Sequence, residues 1–238
     1  MKKTFIIIGS VLLALVLLAT SYFYIVPLFY NFEKPLAGVS GDDNKYQSPI
    51  DFQKLEAQNP DIYAWIEIPN TEISYAVVQH PKDDTYYLRR NEQGFYMYSG
   101  AIFSEASYNK KDFNDPVTIL YGHAMLSGKM FGRLRRTYSG GKHNADDIVI
   151  YQKNQELHYK VFASLPYSDQ HILYSYDFSN PSIFNLFFDQ ILFNKSLGTV
   201  INSDVWPDYS DKVIILSTCM SGGNKRFLVM AKLIKKIS

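Results

Sequence analysis

The chain has 238 residues, 47% of them hydrophobic, and a formal net charge of +1. A charge so near zero gives no field to draw in nucleic acid, and no basic cluster suggests phosphate tracking, so nucleic acid is not an expected partner. One cysteine excludes an internal disulfide, and no cysteine–histidine cluster has zinc spacing, so neither a metal nor a cofactor is expected.

In chain order, Lys2 and Lys3 precede an uncharged run from Phe5 to about Val26. That run is long enough to cross a hydrocarbon core of about 30 Å as a helix, and it lacks the shorter apolar stretch and small-residue site of a cleaved signal. Tyr22, Phe23 and Tyr24 suit an interfacial aromatic belt. Residues 1–30 are therefore expected to be a single-pass transmembrane signal anchor in the cell membrane, N-terminus cytoplasmic and the remainder extracellular. Residues 31–45 carry Gly, Asp and Asn with little apolar periodicity and read as a tether. Residues 46–238 are enough for one well-cored domain.

Ser48-Pro49-Ile50-Asp51 places an N-cap, an N1 proline and an N3 acid in order, predicting a short helix that ends near Asn59-Pro60. Strands follow at Ala64–Ile68, Ile73–Gln79, Gly100–Phe103, Val117–Tyr121, Asp147–Tyr151, Leu157–Ser164, Lys212–Thr218 and Arg226–Ile234. Nineteen tyrosines and sixteen phenylalanines fit this strand-rich reading. Met130–Tyr138 reads as a short helix. Between the sixth and seventh strands, Asn180 and Pro181 cap a helix whose apolar face runs through Ile183, Phe184, Phe187, Phe188, Ile191 and Leu192. That face either covers the sheet or walls a substrate groove. Eight short strands with few helices predict a mainly β fold, a closed or nearly closed barrel.

The chemistry is concentrated at the C-terminus. Two apolar strands, Lys212–Cys219 and Arg226–Lys232, flank a loop containing Gly222-Gly223, which is a hairpin signature. If the loop is Met220 to Lys225, Cys219 faces Arg226, Ser217 faces Leu228 and Ile215 faces Met230. Opposed residues project to one face with Cβ atoms about 5 Å apart. A guanidinium there favours a thiolate and offers fixed donors to a tetrahedral oxyanion. Taken singly, the cysteine also reads as a small buried hydrophobe and the arginine as a snorkelling surface residue. Of five histidines, His80, His143, His158 and His171 read as solvated or structural. His123 ends a buried strand, where rigid structure delivers an imidazole to a site. Cys219, His123 and Arg226 together supply nucleophile, acid–base and electrophile.

These residues resemble those of a known family. Leu216-Ser217-Thr218-Cys219 is similar to the Thr-Leu-x-Thr-Cys signature of sortases, and Tyr121-Gly122-His123 with Met125 to their histidine segment. Arg226 to Leu233 resembles the strand carrying their catalytic arginine. Trp65 to Thr71, Tyr75 to Gln79, Tyr86 to Leu88 and Gly100 to Phe103 look like the class B branch, which the chain resembles throughout after the tether. Two departures are Ile215, where the family often has threonine, and the loop Met220 to Lys225, which has no acid. A third, imidazole-orienting role is left unassigned, with Asn224 a candidate.

The resemblance implies a membrane-anchored cysteine transpeptidase of Gram-positive bacteria. Its fold would be an eight-stranded β-barrel with an N-terminal helix and a helix in the insertion between the sixth and seventh strands. Its partners would be exported proteins bearing a C-terminal sorting signal, Asn-Pro-x-Thr-like or Pro-x-Thr-Gly-like, and a cell-wall peptide amine. Cys219 would attack the threonine carbonyl and form a thioester, with Arg226 stabilising the oxyanion. His123, protonated at the start, would give its proton to the departing amine and then deprotonate the incoming one. Leu88, Ser217 and Thr218 would line the substrate groove. Three other readings stay open: a pilin-polymerising enzyme, a thiol endopeptidase using water, and a membrane-anchored binding domain with an inert cysteine.

Overall fold

The computed structural model describes residues 2–26, 30–38, 46–139, 147–194, 196–220 and 224–238, the side chains of residues 2–7, 23, 24 and 147 excepted. Residues 39–45 of the expected tether, His143, and residues 221–223 of the expected hairpin loop lie outside them. Among the described residues the strands are β1 (Ile62–Glu67), β2 (Ser74–Val78), β3 (Ile102–Phe103), β4 (Val117–Tyr121), β5 (Asp147–Tyr151), β6 (Glu156–Ser168), β7 (Val200–Ile201), β8 (Val213–Cys219) and β9 (Lys225–Ile237). They pair in the order β5-β1-β2-β3-β4-β8-β9-β6-β7, and β5 also pairs with β6. That last pairing closes eight strands into the expected barrel and leaves β7 as a two-residue flap on β6. Two residues are too few to show an alternating pattern, which is why β7 is not visible in the sequence.

Alternation sorts the side chains between two cores. Ile214 and Leu216 of β8 point into the barrel with Phe227, Val229 and Ala231 of β9. Val213 and Ile215 point outward with Leu228 and Met230, beneath a helical layer. The helices are α1 (Lys2–Thr20), α2 (Phe52–Gln58), α3 (Leu134–Tyr138), α4 (Ile172–Ser175) and α5 (Pro181–Leu192). In α5 the Asn180 side chain accepts from Ser182 N, and Phe184, Phe187, Phe188 and Ile191 are buried on the outer core. Each such burial contributes roughly 1.5–3 kcal/mol. The helix thus covers the sheet. Ile183 is only half-buried and Leu192 is exposed, so the predicted face is narrower than its apolar residues suggest.

The expected transmembrane anchor is not found. Among the described residues no helix is long and apolar enough to cross a membrane. The α-helical ladder of α1 stops at Thr20, where a π-helical turn, Ser21–Ile25, follows. The expected single-pass location in the cell membrane, with an extracellular domain, loses its support with that helix.

The helix expected from Ser48 starts later, at Phe52, because the backbone before it is engaged elsewhere. Ser48 Oγ accepts from Ile50 N, Asp51 N donates to Pro35 O, and Ile50 forms a bridge with Leu36. Asp51 is then the N-cap, accepting from Lys54 N. Residues 31–38, part of the expected tether, lie along the barrel together with Tyr30 before them. Phe32 stacks on Trp65, and Lys34 pairs with Glu67 at 2.5 Å.

At the start of this strap, the Tyr30 hydroxyl donates to Glu92 Oε2 at 3.2 Å. Glu92 is 2% exposed, and burial, the main cause, raises its carboxyl to about 7. A carboxyl raised on folding is most stabilising below its unfolded value, and that contribution is lost as pH rises through 7. At pH 8 the ionised group costs about 3 kcal/mol. Glu92→Gln removes the ionisation, so the variant melts above the parent at pH 8, and the two melting temperatures converge by about pH 4. Equal melting at both values contradicts this.

Candidate active site

The β8–β9 ladder pairs Cys219 with Arg226, Ser217 with Leu228 and Ile215 with Met230, the register predicted from the loop length. Ile215, Leu228 and Met230 face the outer core, so Ser217, Cys219 and Arg226 lie farther along that outer face. Arg226 Nη1 donates to Cys219 Sγ at 2.8 Å. The cysteine is half-buried, so its sulfur is both shielded and reachable. One fixed cationic donor on the sulfur stabilises negative charge there. The planar fork has others to offer a neighbouring oxygen.

Strand pairing also delivers the imidazole. β4 runs parallel to β8 with Tyr121 beside Ser217, and Gly122 N donates to Ser217 O at 3.1 Å. His123 therefore leaves the barrel next to the chain leading to Cys219. Its Nε2 bonds the Leu88 carbonyl at 2.8 Å, its ring stacks on Tyr98 with centroids 6.0 Å apart, and its own carbonyl accepts from Phe131 N. A carbonyl only accepts, so Nε2 carries a proton and Nδ1 is the nitrogen that exchanges one. Burial holds the imidazole below its ordinary value, and the charges of Arg89 and Arg226 push the same way against the Leu88 bond. Each of these causes except the Leu88 bond favours the neutral ring over the imidazolium expected at the start.

Gly122 has a steric reason. A Cβ there would lie 2.5 Å from Ile102 Cδ1 and 2.7 Å from Phe131 Cδ2. Gly122→Ala must shift the backbone that aims His123, and a misplacement of about 1 Å costs about 10²-fold in rate. The expected result is a fall in kcat with KM little changed. An unaltered kcat contradicts the positioning argument.

His123, Cys219, Arg226, Leu88 and Ser217 line one cavity of about 170 Å³. Thr218, expected with them, is not brought in. It is adjacent to Ser217 and Cys219 on a strand, so its side chain faces the other way, opposite Phe227 of the barrel interior. It lines instead a second cavity of about 350 Å³, with Ala124 and Met125, that also reaches Cys219. Asn224 is exposed and lines neither, so the Leu88 carbonyl is the group that orients the imidazole. No α5 residue lines the 170 Å³ cavity, which favours its covering role.

The cavity also contains Glu105, Tyr121 and His171, which sequence reasoning missed. Glu105 follows the apolar stretch ending at Phe103, a polar group at the end of a buried strand. That is the same signal that singled out His123. His171, read as solvated or structural, is the N-cap of α4, with its ring placed against Glu105.

With this geometry in place, comparison with known proteins is informative. A model of the sortase domain matches residues 66–234. Sortase B of Staphylococcus aureus is 28% identical over 246 residues, spanning 98% of each chain. Sortase B of Listeria monocytogenes is 31% identical over 189 residues, 78% of this chain and 74% of that one. Among solved structures, sortase B from B. anthracis superposes with a TM-score of 0.69 at 27% identity, covering 85% of this chain and 90% of the other. A Staphylococcus aureus sortase B–substrate complex gives 0.66 at 30% identity, covering 77% and 84%. A barrel of this topology, its hairpin register and these matches along most of the chain lead to one conclusion: the protein belongs to the sortase family, in its class B branch.

Proposed function

We propose that Cys219, His123 and Arg226 carry out the cysteine transpeptidation of sorting signals, with residues 46–238 as the catalytic domain. The observation that carries this reading is the Arg226 Nη1 to Cys219 Sγ contact of 2.8 Å in a cavity shared with His123. The neutral imidazole takes the thiol proton at Nδ1, leaving a thiolate that the guanidinium stabilises. The thiolate attacks the carbonyl of the signal's threonine, and charge building on that oxygen meets the remaining guanidinium donors. The imidazolium protonates the departing amine as the peptide bond breaks, leaving a thioester on Cys219. A second amine then attacks, the imidazole takes up a proton, and the sulfur leaves as thiolate. Leu88 and Ser217 line the path of the signal.

The test incubates the full chain with Asn-Pro-x-Thr and Pro-x-Thr-Gly peptides, with and without an amine acceptor, and identifies products by mass spectrometry. The expected result is cleavage after threonine, with the acyl part joined to the amine when one is present. Cleavage with no amine-joined product at any amine concentration would make it a hydrolase. Absence of cleavage would support an inert binding domain.

A further inference from the structure

His123 stands just past the end of β4, and the groups that hold it come from two loops. The first is a hairpin, residues 87–101. Its arms are joined by Ala101 N donating to Tyr87 O, Met97 N donating to Arg89 O and an Arg90–Tyr96 bridge. One arm supplies the Leu88 carbonyl to Nε2, and the other stacks Tyr98 on the ring. The second loop, residues 124–130, continues from His123 itself. It is closed by an Ala124–Met130 bridge and by Phe131 N donating to the His123 carbonyl. Leu88, Tyr98, Ala124 and Leu126 are all exposed, so little buried apolar surface holds either loop near the ring.

The strap that begins at Tyr30 is bonded to both loops. The Tyr30 hydroxyl donates to Glu92 Oε2 at the tip of the hairpin. From the second loop, Lys129 Nζ donates to Tyr30 O at 2.7 Å and to Asn31 Oδ1 at 3.0 Å. Tyr30 thus joins the hairpin through its side chain and the second loop through its carbonyl. The strap is itself anchored on the barrel wall. Phe32 stacks on Trp65, Lys34 pairs with Glu67, and residues 35 and 37 bond the backbone before α2. A cavity of about 300 Å³ separates the three segments, with Tyr30, Asn31, Glu92, Gly100, Lys129 and Met130 among its lining. Hydrogen bonds rather than close packing span that gap.

The hairpin is tight where it aims the Leu88 carbonyl. Gly100 has φ +59°, and a Cβ there would lie 2.7 Å from both the Tyr87 and Leu88 carbonyl oxygens. Contact that close leaves little slack between the arms, so movement at the Glu92 tip reaches Leu88. Asn59 Nδ2 also donates to Glu92 O, and Met130 N donates to the Tyr75 hydroxyl. Each of those bonds holds one loop singly; the strap ties the two together.

We propose that Tyr30 and Lys129 are positioning residues for the catalytic imidazole. Through them the strap braces the two loops flanking His123 and keeps its Nε2 proton on the Leu88 carbonyl. This rests on the transpeptidase reading given above and extends its machinery to two residues outside the cavity with Cys219. The bond made by one ring nitrogen sets which form the other takes, so a ring freed from Leu88 loses its fixed tautomer. Nδ1 is then no longer held as the proton-exchanging nitrogen.

The test compares the full chain with Lys129→Met, Lys129→Arg and Tyr30→Phe, using steady-state kinetics on a sorting-signal peptide. Lys129→Met keeps the apolar stem and removes both donated bonds. Its kcat should fall about tenfold with KM within about twofold, part of the loss that a fully misplaced group causes. Lys129→Arg restores donors to the same two oxygens and should return kcat to within about threefold of the parent. Tyr30→Phe, with Asn59 still on the hairpin tip, should lose about threefold, and it serves where Lys129→Met fails to fold. The ring is also read without turnover, by NMR of protein carrying isotope-labelled histidine, with His123→Gln assigning the signal. At about pH 8, above the ordinary imidazole value, the parent should show the Nε2–H tautomer and Lys129→Met a mixture of both.

Parental kcat and a parental tautomer in the variants would overturn the proposal. A raised KM at unchanged kcat would also overturn it, by placing the effect on peptide binding. So would a lowered melting temperature with kcat and tautomer kept, which would make the contacts structural alone. If the parent cleaves no signal peptide while the tautomer still shifts in Lys129→Met, the transpeptidase reading fails and the brace on the ring stands.

Discussion

Arg226→Lys lowers kcat/KM by about 10²–10³-fold, the usual cost of losing an oxyanion donor. The reason lies in how one guanidinium is shared. Nη1 is already committed to Cys219 Sγ at 2.8 Å, and the fork's other N–H groups are held in a fixed plane by that contact and by the β9 backbone. Lysine brings one compact ammonium on a flexible stem, which cannot bond the sulfur and a developing oxyanion in a set geometry at once. The positive charge is kept, so a purely electrostatic role predicts only a small loss. Steady-state kinetics on a sorting-signal peptide separate the two cases, and a near-normal rate in Arg226→Lys removes the oxyanion role.

Cys219→Ala has the larger effect, with turnover falling by about 10⁴-fold or more, as for other enzymes deprived of their nucleophile. The fold should survive it. Cys219 is half-buried at the last position of β8, where its backbone pairing with Arg226 is independent of the side chain. Loss of one sulfur there costs about 1 kcal/mol, a shift of only a few degrees in melting temperature. Activity lost with the thermal transition kept identifies a chemical role. Substantial residual cleavage would mean that another group is the nucleophile.

Much of this site was legible because it depends on local rules. The hairpin register follows from a loop of fixed length between two apolar strands, and it places Cys219 opposite Arg226 without knowledge of the rest of the barrel. His123 was found from a polar residue closing the buried run Val117–Tyr121. The helix Pro181–Leu192 was visible from its cap and its spacing of phenylalanines.

What could not be read depends on long-range contacts. The parallel β4–β8 pairing that sets His123 beside Cys219 joins residues far apart in sequence. Glu105 and His171 meet only because the insertion folds back over the end of β3. Thr218 is grouped with Ser217 and Cys219 by motif proximity, whereas alternation turns its side chain the opposite way, toward the second cavity. The expected membrane helix rests on apolar length alone, and among the described residues no helix is long and apolar enough to cross a membrane. The start of α2 moved because residues 35–37 form backbone contacts with the segment before it, a pairing that capping rules do not anticipate.

Intact-protein mass spectrometry after rapid mixing with a sorting-signal peptide, amine withheld, tests acyl transfer at Cys219 most directly. The parent chain should gain the mass of the peptide's acyl part through threonine, mapped to Cys219 and released by added amine, and Cys219→Ala should gain nothing. Peptide cleavage without any such adduct, or an adduct of equal yield in Cys219→Ala, would contradict it.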